Sequence, residues 1–145
     1  MPAAKYIFIG IFTAFVSCKV EPQKINYGKD HCAFCEMTVV DKTHASEYVT
    51  KKGRSYIFDS IECLVQQINI ENNESDLAFV LVSDYLNPGE LIDAKKATYL
   101  ISDKIKSPMG ANLSAFDSLE NAKKAQQEFG GTLYTWQQLK AKFKK

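Results

Sequence analysis

Four soft or borderline metal ligands fall within seven consecutive residues: His31, Cys32, Cys35 and Met37 in the run His31-Cys32-Ala33-Phe34-Cys35-Glu36-Met37. The chain carries few such groups elsewhere, with four Cys, three Met and two His in all. Two thiols, a thioether and an imidazole suit a soft d¹⁰ ion such as Cu(I). The run also restricts the backbone. A redox Cys-x-x-Cys pair opens a helix, whose dipole and exposed amides lower the thiolate pKa. Here Thr38-Val39-Val40 follows at once, and β-branched residues favour a loop leading into a strand.

The first seventeen residues read as an export signal rather than as part of the fold. Lys5 gives a short positive flank, and Tyr6 to Val16 is an apolar or small-residue run too short to span a bilayer. Ser17-Cys18 then resembles a lipobox, which makes Cys18 the expected lipid-bearing N-terminus of the mature chain. Removing Lys5 leaves 17 basic against 17 acidic side chains. The balance is zero, and no basic cluster suggests a nucleic-acid partner. Residues 18–28 are polar, include Pro22 and Gly28, and read as a lipid-anchored tether. The mature chain keeps Cys32, Cys35 and Cys63, an odd number for a disulfide framework outside the cytoplasm. Metal binding gives free thiols a reason to persist there.

From residue 29 onward the patterns indicate an α+β fold of two strand-strand-helix units, about 29–72 and 76–145. Glu47–Thr50 and Ser55–Phe58 flank a Gly-containing turn and read as a hairpin. Asp59, with Glu62 three residues on, reads as the cap of a helix whose apolar face holds Ile61, Leu64, Val65 and Ile68. Leu77–Val82 and Ala97–Ser102 read as strands. Asp117 with Glu120 opens a second helix that Gly130-Gly131 ends, Thr132–Tyr134 a short strand, and Thr135 with Gln138 a last helix. No clear repeat is visible between the units at this level.

Other ligand candidates are weaker. Structural zinc wants four ligands, and only Cys63 and His44 remain to complete a set with Cys32 and Cys35. Cys63 sits in a helical apolar pattern and reads as a buried small hydrophobe. His44 reads as an exposed imidazole in a turn. Met109, between Pro108 and Gly110 in a polar loop, is hard to explain as core and easy to explain as a ligand offered from a second loop.

Together these elements resemble the NosL family of copper-binding lipoproteins, accessory to nitrous oxide reductase. The matching features are Cys18, Cys32-x-x-Cys35-x-Met37, Phe58-Asp59-Ser60-Ile61-Glu62-Cys63-Leu64, Ser107-Pro108-Met109-Gly110, and Ala115-Phe116 with Ala125 and Phe129-Gly130-Gly131. One departure is Glu36, where the family commonly has Gly. The resemblance implies a pair of ββα units related to the organomercurial lyase MerB. It also implies a periplasmic, lipid-anchored, non-enzymatic carrier of Cu(I) for nitrous oxide reductase assembly. The expected ligands are Cys32 and Met109, with Cys35, Met37 and His31 competing to complete the shell. The alternatives are a thiol-disulfide or MerB-like thiol enzyme, and a structural lipoprotein with a Cys32–Cys35 disulfide. A MerB-like enzyme needs a proton donor beside two thiolates, and the sequence identifies none.

Overall fold

Turn chemistry begins the first unit. The computed structural model describes residues 19–144, so the signal segment and Cys18 lie outside the described residues. Strands β1 (Ser46–Thr50) and β2 (Ser55–Phe58) pair antiparallel, with Tyr48 opposite Tyr56. Gly53 turns the hairpin with φ +85°, a left-handed conformation that costs a glycine little. Helix α1 (Ile61–Glu71) follows and buries Ile61, Leu64, Val65 and Ile68 against the sheet, the face expected from their spacing.

Strand β3 (Leu77–Ser83) pairs antiparallel with the other edge of β1, and β4 (Leu91–Asp93) with β3. The first sheet therefore has the order β2-β1-β3-β4. Residues 77–93, read from the sequence as the start of the second unit, belong to the first sheet. A second sheet of order β6-β5-β7 comes from β5 (Thr98–Ile101), β6 (Leu113–Phe116) and β7 (Thr132–Tyr134). Between β6 and β7 runs α2 (Leu119–Phe129), and α3 (Trp136–Lys142) ends the fold. One parallel bridge, Asp84 to Ala115, ties the two sheets, and a shared core from Tyr48 through Tyr99 to Leu139 packs them together. The fold class is α+β, as expected.

The strand-to-helix junctions reveal a repeat that the sequence reading did not find. Phe58-Asp59-Ser60-Ile61-Glu62 precedes and opens α1; Phe116-Asp117-Ser118-Leu119-Glu120 does the same for α2. In each copy the Phe ends a strand fully buried and the Ser caps the helix. Ser60 Oγ accepts from Cys63 N at 3.3 Å, and Ser118 Oγ from Asn121 N at 3.2 Å. The caps therefore stand one residue later than Asp59 and Asp117, where the sequence placed them. A serine three residues before a free amide suffices for the cap, so each Asp is released for another task. The third helix follows the sequence closely, with a reciprocal capping box between Thr135 and Gln138. After α2, Gly131 is required by close approach, because a Cβ there would collide with the Ile101 carbonyl of β5.

Three local expectations change. Thr38–Val40 makes only a single bridge, Thr38 to His31, rather than a strand. His44 is buried, not exposed: its Nδ1 lies 2.9 Å from Asp41 and its Nε2 3.2 Å from Ser114 Oγ, which satisfies both ring nitrogens. The presumed tether is also partly folded. Gln23 N donates to Glu47 at 2.8 Å and Gly28 N to the Val39 carbonyl at 2.8 Å, while Ile25 is buried with Val39 and Ala45. Burying a side chain of that size is worth about 2 kcal/mol. The segment from Gln23 thus covers the face of the first sheet opposite α1.

Candidate metal centre

The Cys32–Cys35 pair is held by its own backbone. Glu36 N donates to the Cys32 carbonyl at 2.9 Å, and Cys32 N to the Met37 carbonyl at 2.8 Å. The loop closes with Glu36 at φ +66°, the left-handed region that favours glycine. Ala33 N then donates to the Ile57 carbonyl at 2.8 Å, which seats the loop over the end of β2. The next residues of that strand-to-helix junction are Asp59 and, in the first turn of α1, Cys63.

This stacking brings together Cys32, Cys35, Asp59 and Cys63, one ligand atom of each lying within 4.8 Å of all the others. Cys35 Sγ donates to Asp59 Oδ1 at 3.4 Å, and Cys35 N donates to Cys32 Sγ at 3.5 Å. All three cysteines are free thiols, with Cys32 and Cys63 buried and Cys35 half-buried. Cys35 is the accessible member, since Asp59 is buried as well.

The electrostatics favour one negative sulfur among three. The Cys63 thiol donates to Cys32 and, against burial, helps to hold it down at about 6, aided by the Cys35 amide. Burial pushes Cys35 up to about 11, and Cys63 is pushed up by its bond to Cys32 and by burial. Further deprotonation would crowd like charges into a desolvated space, and a bound cation would relieve that repulsion. Three sulfurs suit a soft ion, while Asp59 adds a hard oxygen donor.

Of the residues singled out in the sequence, Cys32 and Cys35 enter this cluster. His31 does not: it is exposed, and its backbone bridges Thr38. Met37 is 60% and Met109 44% exposed, so neither fills the core. The Met109 loop is nevertheless fastened to the first turn of α1. Ser107 Oγ and Ala111 N both donate to Glu62 Oε1, at 2.9 and 3.1 Å, and Glu62 immediately precedes Cys63. Sequence reasoning missed two members, Asp59 and Cys63. Cys63 is as buried as expected, but its sulfur also faces the loop thiols. The available signal was the Phe-Asp-Ser junction, whose second copy has Asn121 where the first has Cys63.

Comparisons with known proteins bear on the family and the fold of the chain. The chain is similar to the copper-binding lipoprotein NosL of Stutzerimonas stutzeri, 26% identical over 120 residues, which is 78% of this chain and 63% of that relative's length. Its fold is similar to the crystal structure of the copper chaperone NosL from Shewanella denitrificans, with a TM-score of 0.71 and 20% identity, covering 82% of this chain and 95% of that one. The NosL family model matches residues 22–143, which span the loop thiols, the Phe58–Cys63 junction and the Met109 loop. The chain belongs to the NosL family.

Proposed function

We propose that this protein carries Cu(I) outside the cytoplasm, anchored by lipid at Cys18 to the periplasmic face of a bacterial membrane, and passes the ion to a copper enzyme. Nitrous oxide reductase is the proposed recipient, and no reaction is assigned to the protein itself. The observation that carries the reading is the convergence of Cys32, Cys35 and Cys63 beside Asp59, with one thiol accessible. Buried thiols retain a soft ion, and a half-buried Cys35 lets a partner's ligands reach it. Cu(I) is content with two or three ligands, so Met109, Met37 and His31 supply exchange positions during transfer. The names of the two similar proteins, a copper-binding lipoprotein and a copper chaperone, support this reading.

Anaerobic Cu(I) titration against a competing chelator tests it, with the wild type beside Cys32→Ser, Cys63→Ser and Met109→Leu. The expected order of loss is Cys32→Ser and Cys63→Ser well ahead of Met109→Leu. Unchanged affinity in all three variants would refute the site.

One observation favours a second reading. Asp59 is an acid beside the thiols, the group that a MerB-like lyase needs and that the sequence did not reveal. In that reaction two thiolates would take the mercury, Cys35 giving its thiol proton to Asp59 as it binds, and Asp59 would pass that proton to the leaving carbon as the carbon–mercury bond breaks. Benzene release from a phenylmercury compound, abolished by Asp59→Asn, would support it; mercury retained with its phenyl group would exclude it.

A further inference from the structure

The hairpin tip opposite the thiols carries Lys51, Lys52 and Arg54 in succession around Gly53, all exposed. Among the described residues none of the three is in an ion pair, while Lys19 is paired with Glu21. Arg54 is steadied instead by the ring of Tyr56, 4.9 Å from its centroid. The groove beside the tip has Asp76 as its one acidic lining residue. The start of the described chain lies against this tip: a Cβ at Gly53 would stand 3.8 Å from Val20 Cγ2. Cys18 is two residues from Val20, a reach of about 7 Å at most.

We propose that Lys51, Lys52 and Arg54 form a contact surface for anionic phospholipid headgroups. The inference rests on the lipid anchor at Cys18, which brings the bilayer to this corner of the domain. Hydrogen bonds from backbone amides fix the chain from Gln23 onward, so the first fixed point of the domain lies only five residues along the sequence from the anchor. Basic residues held at a surface of anionic lipid contribute about 1 kcal/mol each, and a lipid chain joined to such a patch anchors more firmly than either does alone. The geometry gives the contact a use. From Arg54 to Asp59 the chain runs along β2, roughly 17 Å at strand rise. With the cationic tip on the bilayer, the thiol cluster at the other end of the strand is held away from it, toward a water-borne partner.

The test uses the mature chain from Cys18 and vesicles of phosphatidylglycerol with phosphatidylcholine, beside vesicles of phosphatidylcholine alone. The unacylated wild type is expected to bind the anionic vesicles at least about tenfold more tightly, with binding weakened by salt. The Lys51→Gln/Lys52→Gln/Arg54→Gln variant is expected to lose that preference, its turn being held by backbone bonds from Thr50 to Arg54 and from Gly53 to Thr50. An anionic preference that survives in the triple variant overturns the assignment. No preference in the wild type also overturns it, and leaves an acidic protein surface as the partner for these cations. The anchor is read separately, from the acyl mass on Cys18 of full-length protein extracted from membranes, so a failed anchor and a failed surface are told apart.

Discussion

Glu62 and Ser107 are joined by a 2.9 Å hydrogen bond that fastens the Met109 loop to the first turn of α1. The same carboxylate oxygen takes the Ala111 amide, so both ends of the Ser107–Ala111 segment rest on one atom. Glu62 is buried, and its other oxygen has no partner among the described residues.

Glu62 is therefore expected to act as a latch. Glu62→Ala strands two donors and costs about 1–3 kcal/mol, whereas Glu62→Gln keeps an acceptor oxygen and costs less. Denaturant melts of both variants give the comparison, and amide exchange at Ala111 locates the effect. If Met109 takes part in copper binding, Glu62→Ala and Met109→Leu weaken it to a similar degree and non-additively. Equal stability of the Ala and Gln variants would contradict the latch.

Glu36 occupies a left-handed position that a side chain disfavours. Glu36→Gly relieves a conformational cost of about 1 kcal/mol, part of which the greater freedom of glycine in the unfolded chain takes back. The variant is expected to gain a few tenths of a kcal/mol. A higher denaturant midpoint with unchanged slope is the predicted result, and a lower midpoint would show that the Glu36 side chain makes a compensating contact.

The α3 end of the fold is expected to be acid-sensitive through Glu74. Burial works against its charge, but bonds from Lys140 and Trp136 outweigh that and hold the carboxyl below its ordinary value of 4.5. Trp136 Nε1 donates to Glu74 at 2.8 Å. A depressed folded value means that the contribution is complete above the unfolded value and is lost as pH falls through the lower, folded one. Urea unfolding from neutral pH down to about pH 3 should show a steeper loss of stability in the wild type than in Glu74→Gln. Parallel curves would mean that this pair contributes nothing specific.

How far the sequence could be read depended on how local each signal was. The Thr135–Gln138 box, the Gly53 turn and the apolar face of α1 are encoded within a few residues, and all three recur in the structure. Strand β6, Leu-Ser-Ala-Phe, was missed because it is buried throughout and so shows no alternation. β4 was missed because three residues at a sheet edge carry almost no pattern. At the candidate metal centre the loop thiols were legible from their spacing. Cys63 was not, because a cysteine in a buried helix face looks the same whether its sulfur meets a methyl group or another thiol. Only the seating of Ala33 on Ile57 makes that difference.

The central claim is that Cys63 and the loop thiols hold copper together. X-ray absorption at the copper edge of the anaerobically loaded protein tests it most directly, by counting sulfurs around the ion in the wild type and in Cys63→Ser. The account predicts a sulfur-dominated shell of about two or three ligands in the wild type and one sulfur fewer in the variant. A sulfur count that does not change when Cys63 is replaced would contradict it.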